Sequence, residues 1–180
     1  MAGPLDGVRI LDCTTVVLGP WAAQQLGDLG ADVIKIEPPE GDTTRQLGPA
    51  RNPGMSAFYL GCNRSKRSIV LDLKNPAQLE VARKIIAQSD VVLENFRPGV
   101  MERLGLGPDV CAVRNPKLVY GRITGWGQNG PMAQAMVDRY EESMAEYDVQ
   151  GTPTLVINGT IHSNMNYADL KVILDAELAK

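Results

Sequence analysis

The residue types of one glycine-rich loop suit ligand binding. This loop contains a tryptophan and ends in a proline. Residues 118–131 read LVYGRITGWGQNGP, and the apolar residues 118–123 predict a β-strand. Open α/β sheets bind their ligands in the loops that follow the carboxyl ends of parallel strands. The spacing alone leaves a plain long turn open as the alternative.

Two other polar stretches have chemistry that suits a charged ligand. Residues 95–99 (NFRPG) directly follow a second strand-like run, residues 90–94, so they also lie at a predicted sheet edge. Residues 63–68 (NRSKRS) carry three cations in six residues, and both arginine and lysine bind phosphate. A merely solvated charged surface is the alternative for this short cluster.

Strands and helices alternate along the chain and must position these loops. The predicted strands cover residues 8–13, 32–37, 68–73, 90–94 and 118–123, and helices are predicted around residues 20–29, 76–88, 100–104 and 108–114. A helix between two strands favours parallel pairing, so the pattern predicts an α/β fold on a parallel sheet. The first helix is expected to bury a stripe at Trp21, Ala22, Gln25, Leu26 and Leu29.

Other local signals refine this outline. Asn75 followed by Pro76 predicts the start of a helix, with the asparagine as N-cap. Residues 38–55 predict a long loop, and residues 58–60 are expected to dock it.

Composition excludes several classes of function. The chain has 18 basic and 21 acidic residues and a net charge of −3, which argues against non-specific nucleic-acid binding. No apolar run approaches the roughly 20 residues that span a bilayer, so no membrane partner is expected. The start of the chain does not resemble a signal peptide, and the expected location is cytoplasmic.

The cysteines and the histidine do not form a recognisable redox or metal site. Cys13, Cys62 and Cys111 lie far apart and offer neither a CxxC pair nor metal-ligand spacing. Each is expected to be a small buried hydrophobic residue. His162 is the only histidine, so a histidine-rich metal site is excluded.

Residues 1–135 resemble the N-terminal part of the family III CoA-transferases, which include formyl-CoA and carnitine-type CoA-transferases and α-methylacyl-CoA racemase. The resemblance rests on ordered blocks at residues 3–12 (GPLDGVRILD), 26–37 (LGDLGADVIKIE), 63–74 (NRSKRSIVLDLK), 90–99 (DVVLENFRPG) and 121–131 (GRITGWGQNGP). It implies a Rossmann-like fragment that binds coenzyme A (CoA) or acyl-CoA as substrate.

The resemblance also implies a set of CoA-binding residues. By position, two residues would flank the thiol arm of CoA, others would hold the nucleotide and the pantetheine, and two arginines would meet phosphates. The implied set is Val16, Val17, Leu71, Lys74, Asn95, Phe96, Arg97 and Arg103. A CoA diphosphate calls for guanidinium groups and N–H donors. A surface ion pair is the alternative for Arg97.

The resemblance supplies no catalytic residue. It implies a nucleophilic aspartate in the transferases and a His–Asp acid–base pair in the racemases. The pair should follow residues 130–131 closely, but residues 136–139 read MVDR. Asp169 lies near the distance of the transferase aspartate, in surroundings that do not match the family. We therefore expect a truncated chain that only binds CoA or is inactive. In the family a later segment interlocks two subunits; that segment is missing here, and a homodimer stays open.

Residues 137–180 resemble the C-terminal end of a DsbA-like thioredoxin-fold protein. The resemblance rests on residues 147–159 (YDVQGTPTLVING) and on the terminal helix, residues 167–180. A charged helix at residues 138–147 and a hairpin of residues 155–158 and 160–163 around an Asn-Gly turn are predicted. In that family the Thr-Pro bond is cis and faces a CxxC motif, so Pro153 would be the proline of this bond.

The sequence therefore predicts an α/β chimera joined near Ala135. A Rossmann-like parallel-sheet fragment at residues 1–135 would precede a thioredoxin-like hairpin and helix at residues 137–180. The alternative function is that of a thiol-disulfide or thioredoxin-fold interaction protein that lacks CxxC.

Overall fold

The computed structural model of the chain describes residues 3–125, 127, 130–146, 154–157, 160–163 and 167–178. It divides into two units, Met1–Gly125 and Trp126–Lys180. The sheet, its helices and the cavity described below all belong to the first unit.

Five parallel strands form the sheet of the first unit. They are β1 (Arg9–Asp12), β2 (Asp32–Glu37), β3 (Lys66–Val70), β4 (Val91–Glu94) and β5 (Val119–Arg122). The strand order is β3-β2-β1-β4-β5, and every neighbouring pair is parallel. This confirms the predicted α/β fold. The order reverses between β1 and β4, which is where open sheets of this kind bind ligands.

Helices connect the strands. They are α1 (Leu18–Asp28), α2 (Ala57–Asn63), α3 (Pro76–Ala87), α4 (Val100–Arg103) and α5 (Pro108–Arg114), with a short 3₁₀ helix at Thr43–Gln46. The side chain of Asn75 accepts from the N–H of Ala77 at 3.0 Å, which confirms the predicted N-cap of α3.

Two hydrophobic clusters hold the sheet. The larger contains Leu11, Cys13, Ile36, Leu71, Ala82, Ile86, Val92, Met101, Leu106 and Cys111. It draws its residues from the strands and from α3, α4 and α5. The smaller contains Ile10, Ala23, Ala31, Val33 and Leu93, so it joins α1 to the sheet. Neighbouring residues of β1 belong to different clusters, Ile10 to the smaller and Leu11 to the larger, so both faces of this central strand are covered.

The buried face of α1 differs from the predicted one. Trp21 is 53% exposed and Leu29 is 45% exposed, whereas Ala23 is fully buried. The reason is close packing, because a Cβ at Gly19 would lie 2.3 Å from the Cβ of Thr14. The helix therefore approaches its neighbours with Gly19 and Ala23, and Trp21 is left exposed although Leu26 still packs against the smaller cluster.

Two other local features differ from the prediction. Residues 57–63 form α2, which was not predicted, although Tyr59 does contact the long loop, since its hydroxyl accepts from Arg45 at 2.7 Å. Strand β3 begins at Lys66, two residues before the predicted start. Both errors have the same source, since a run that mixes polar and apolar residues gives little periodicity to read.

The described residues of the second unit form two helices and a hairpin. Helix α6 spans Pro131–Glu146, strands β6 (Thr154–Ile157) and β7 (Thr160–Ser163) pair antiparallel, and α7 spans Tyr167–Leu178. The predicted hairpin and final helix are confirmed, and α6 begins seven residues before the predicted position. Residues 158–159 and Pro153 lie outside the described residues. Within the described chain, no helix is long and apolar enough to cross a membrane.

Candidate functional site

A cavity of about 460 Å³ opens at the carboxyl ends of β1, β2, β3 and β4. Each strand contributes the residues that follow it directly or nearly so. The lining residues are Cys13, Thr15, Ile36, Pro38, Pro39, Glu40, Leu71, Asp72, Leu73, Lys74, Phe96, Val100, Arg103 and Leu104. A volume of this size is typical of sites for small molecules and cofactors.

The floor of the cavity is apolar. Cys13, Ile36 and Leu71 line it and also belong to the larger hydrophobic cluster, so the cavity rests on the core of the unit. Burial raises the pKa of the Cys13 thiol, and the neighbouring carboxylates of Asp12 and Glu94 raise it further. This thiol is therefore neutral and serves as an apolar surface, because only the thiolate is a strong nucleophile.

Charged side chains stand on the rim. Lys74 and Arg103 line the cavity and are exposed, and neither forms an ion pair within the described residues. Glu40 and Asp72 line it as well. An apolar floor with unpaired cations at its mouth suits a ligand that has one apolar arm and one anionic group.

Four of the eight residues implied by the resemblance line this cavity, namely Leu71, Lys74, Phe96 and Arg103. The other four do not line the cavity, but each is within two residues of a lining residue in the sequence, namely Val16, Val17, Asn95 and Arg97. Arg97 is exposed and forms no ion pair in the described part of the chain. The binding roles of all eight residues stay predictions.

Asn95 contacts the loop after β1. Its Oδ1 accepts from the N–H of Thr15 at 2.9 Å, and its Nδ2 donates to the carbonyl oxygen of Thr15 at 2.8 Å. Val16 follows with a backbone φ of +72°, and Val17 is half-buried at the start of α1. The two loops at the β1 and β4 ends are therefore joined directly.

The loop after β4 is also held by a buried carboxylate. Glu94 is 3% exposed and accepts from the N–H of Phe96 at 2.8 Å. Arg122 Nε lies 3.4 Å from Glu94 Oε1 and its guanidinium also pairs with Glu102. Burial raises the pKa of Glu94, although the Phe96 N–H and Arg122 lower it in part.

The cation cluster at residues 63–68 forms ion pairs with carboxylates of neighbouring elements. Arg64 pairs with Asp28, Lys66 with Asp12, and Arg67 with Asp32, at 2.6, 2.8 and 2.6 Å respectively. The pairs of Lys66 and Arg67 fasten β3 to β1 and β2. A phosphate contact by this cluster stays a prediction.

A buried polar network follows β2 and was not predicted. Glu37 is 1% exposed and accepts from Arg45 (2.6 and 2.7 Å), Tyr59 (2.9 Å) and Ser68 (2.5 Å). Burial alone would raise the pKa of Glu37, but these hydrogen bonds and one from the Asp42 N–H outweigh it and lower the pKa to about 2. The network fixes residues 38–56, which include the Pro38–Pro39–Glu40 wall of the cavity.

Sequence reasoning also missed part of the cavity lining. Cys13, Thr15 and Ile36 were not singled out as site residues, although they stand at or just after the ends of predicted strands. Their position at carboxyl strand ends is the signal that could have found them. Residues 126, 128 and 129 of the predicted glycine-rich loop lie outside the described residues.

Comparison with known proteins identifies the family. A model of CoA-transferase family III matches residues 5–145 of this chain. The chain belongs to CoA-transferase family III. Succinate–glutarate CoA-transferase of Agrobacterium fabrum is 47% identical over 137 residues, which are 72% of this chain and 34% of that protein. Human succinyl-CoA:glutarate CoA-transferase is 45% identical over 132 residues, 73% of this chain and 30% of that protein.

Solved structures agree with this assignment. Rv3272 from Mycobacterium tuberculosis superposes with a TM-score of 0.68 at 41% identity, over 99% of this chain and 51% of that one. A CAIB/BAIF family protein from Brucella suis superposes with a TM-score of 0.71 at 34% identity, over 100% of this chain and 52% of that one. The chain spans about a third of the length of the curated relatives named above.

The DsbA-like resemblance of the tail gains no support from these comparisons. The family match extends to residue 145, past the junction expected near Ala135. The two solved family structures cover 99% and 100% of the chain, including the tail. The thioredoxin-like part of the predicted fold and the chimera are therefore unsupported.

Proposed function

We propose that this chain is the CoA-binding part of a family III CoA-transferase and that the cavity at the carboxyl strand ends holds CoA or acyl-CoA. One observation carries the proposal. An apolar floor at Cys13, Ile36 and Leu71 adjoins the cations Lys74 and Arg103, which form no ion pair with any described residue. The pantetheine arm is apolar with amide groups, and the nucleotide end carries phosphates, so the two parts of CoA match the two parts of the cavity.

A dinucleotide cofactor fits the same sheet less well. In dinucleotide-binding folds an acidic residue after the second strand binds a ribose hydroxyl. Here that place belongs to Glu37, which is buried and already accepts from Arg45, Tyr59 and Ser68. The loop after β1 reads CTTVVLG and has no GxGxxG pattern. CoA is therefore the better ligand.

The reaction proposed for the whole protein is acyl transfer between CoA and an acid. Relatives at 47% and 45% identity are named as CoA-transferases for succinate and glutarate. A carboxylate nucleophile would form a mixed anhydride with the acyl group, and no residue of this chain is assigned that role. CoA, acyl-CoA and a second copy of the chain are the proposed partners, and the cytoplasm is the proposed location.

Isothermal titration with CoA tests the binding proposal. We expect saturable binding by the wild type and an affinity reduced about tenfold by Arg103→Ala, since a charge-assisted contact to phosphate is lost. Arg114→Ala is the matched control, because Arg114 is also exposed and unpaired in the described structure but does not line the cavity. Equal affinity in all three proteins would overturn the assignment of this cavity.

A thioredoxin-fold interaction protein is the second candidate for the tail. The described tail does contain an antiparallel hairpin, β6–β7, followed by helix α7. Dithiol exchange needs a low-pKa thiolate and a resolving cysteine, and the chain has no CxxC pair. Reduction of an insulin disulfide by the wild type but not by its Cys→Ser variants would be required to favour this candidate.

A further inference from the structure

Val16 has a backbone conformation that valine rarely adopts. Its φ is +72°, in the left-handed region, and the residue is 45% exposed. A β-branched side chain in this region is a genuine outlier. Such strain persists only where the surroundings fix it, and it concentrates at functional sites. The position of Val16, directly after Thr15 in the cavity wall, fits that pattern.

The chain before Val16 is fixed on several sides. Thr14 is fully buried, and its N–H and hydroxyl both donate to Asp12 Oδ1 at 2.9 and 2.5 Å. Its carbonyl oxygen accepts from Lys35 Nζ at 2.7 Å. Thr15 is held by the loop after β4, since Asn95 forms hydrogen bonds with both its N–H and its carbonyl oxygen. These hydrogen bonds fix the orientation of the backbone that leads into Val16.

The chain after Val16 is fixed as well. Helix α1 begins two residues later, and the N–H of Trp21 donates to the carbonyl oxygen of Val17 at 2.8 Å. Gly19 packs so closely on Thr14 that a Cβ there would lie 2.3 Å away. Val16 therefore joins two anchored segments. Of the anchors, only Asn95 comes from the loop that also carries Phe96, which lines the cavity.

We propose that Asn95 is a positioning residue that acts through Thr15. Its amide holds Val16 in the left-handed conformation and so shapes the wall that meets the thiol arm of CoA. This inference rests on the proposed function, CoA binding in this cavity. Asn95 would then act on the backbone of Thr15, a role distinct from direct contact with CoA. Its hydrogen bonds couple the end of β1 to the end of β4, where the strand order reverses.

Relief of the backbone strain provides the test. Asn95→Ala removes both hydrogen bonds to Thr15, and we expect CoA affinity to fall about tenfold. Glycine adopts a positive φ at no steric cost. Adding Val16→Gly to Asn95→Ala should therefore restore most of the lost affinity. The same Val16→Gly change should not restore the CoA affinity of Arg103→Ala, because Arg103 does not hold the backbone at Thr15 and Val16.

Two measurements separate the outcomes. CoA affinity is measured by titration calorimetry for the wild type, Asn95→Ala, Val16→Gly/Asn95→Ala and Val16→Gly/Arg103→Ala, and exchange of the Thr15 amide hydrogen is measured by NMR in the free proteins. Faster Thr15 exchange in Asn95→Ala with rescue by Val16→Gly supports positioning. Wild-type CoA binding without rescue overturns the positioning role alone. Absence of CoA binding by the wild type overturns the proposed function, and the positioning role with it.

Discussion

Lys66 Nζ lies 2.8 Å from Asp12 Oδ2, and the two side chains expose 2% and 0% of their surface. The same ammonium donates to the carbonyl oxygen of Pro20 at 2.7 Å and to Asn63 Oδ1 at 2.9 Å. All three of its protons therefore have acceptors. The contact links the first residue of an edge strand to the end of the central strand β1.

Removal of this lysine should destabilise the protein strongly. Lys66→Met leaves the Asp12 carboxylate buried without its partner, and breaking a buried pair costs about 3–5 kcal/mol. Arg67→Ala is the matched control, because its pair with Asp32 is exposed and such pairs contribute about 0–1 kcal/mol. Urea denaturation measures both. Equal losses of unfolding free energy would show that Lys66 is not a buried anchor.

Acid should weaken the network around Glu37. The folded pKa of about 2 lies below the ordinary glutamate value of 4.5, so the stabilisation is present above pH 4.5 and is lost as the pH falls towards 2. Glu37→Gln lacks this titration. The difference in unfolding free energy between wild type and Glu37→Gln should narrow by about 2 kcal/mol between pH 5.5 and pH 3. A pH-independent difference in urea titrations would contradict the network.

Two helical glycines should respond in opposite directions to alanine. In α1, Gly19→Ala places a Cβ 2.3 Å from Thr14, whereas in α2 a Cβ at Gly61 meets nothing within 4 Å. We expect Gly19→Ala to destabilise by about 1–3 kcal/mol through overpacking. Gly61→Ala should stabilise by roughly 0.5–1 kcal/mol, because alanine favours the helix. Thermal unfolding of the two variants decides, and stabilisation by both would refute the close approach of α1.

The three cysteines should differ in reactivity. Burial raises the pKa of the thiols of Cys13 and Cys111, whereas Cys62 is half-buried. Because the thiolate is the reacting species, iodoacetamide at pH 8 should modify Cys62 first. Peptide mass spectrometry measures the order. Early modification of Cys13 in the folded protein would contradict its place in the cavity floor.

Local signals predicted much of the fold. Helix α3 was found because Asn75 and Pro76 mark its start and its apolar stripe is regular, and the β2 bounds agree with the predicted ones. Helix α2 was missed, although Ser56 caps it by accepting from the N–H of Tyr59 at 3.0 Å. Its buried residues are only Tyr59 and the polar Asn63, so this seven-residue helix has no apolar stripe to recognise.

The site was predicted only where resemblance or strand ends pointed to it. Leu71, Lys74 and Phe96 line the cavity as residues of matching family blocks, and Arg103 lines it four residues after the block that ends at residue 99. The bond between Asn95 and Thr15 joins positions 80 residues apart. Side-chain pairing over that separation depends on the strand order, which single-sequence patterns do not reveal. The ion pair of Lys66 was not predicted for the same reason, since its partner Asp12 lies 54 residues away.

Thermal unfolding of the chain with and without saturating CoA tests the central claim most directly. At about 100 times the dissociation constant, a ligand with one site adds roughly 2.7 kcal/mol to the stability of the folded state. For a chain of this size the midpoint should rise by roughly 5–10 °C. The rise should be smaller for Arg103→Ala at the same CoA concentration. An unchanged midpoint for the wild type would contradict CoA binding in the cavity.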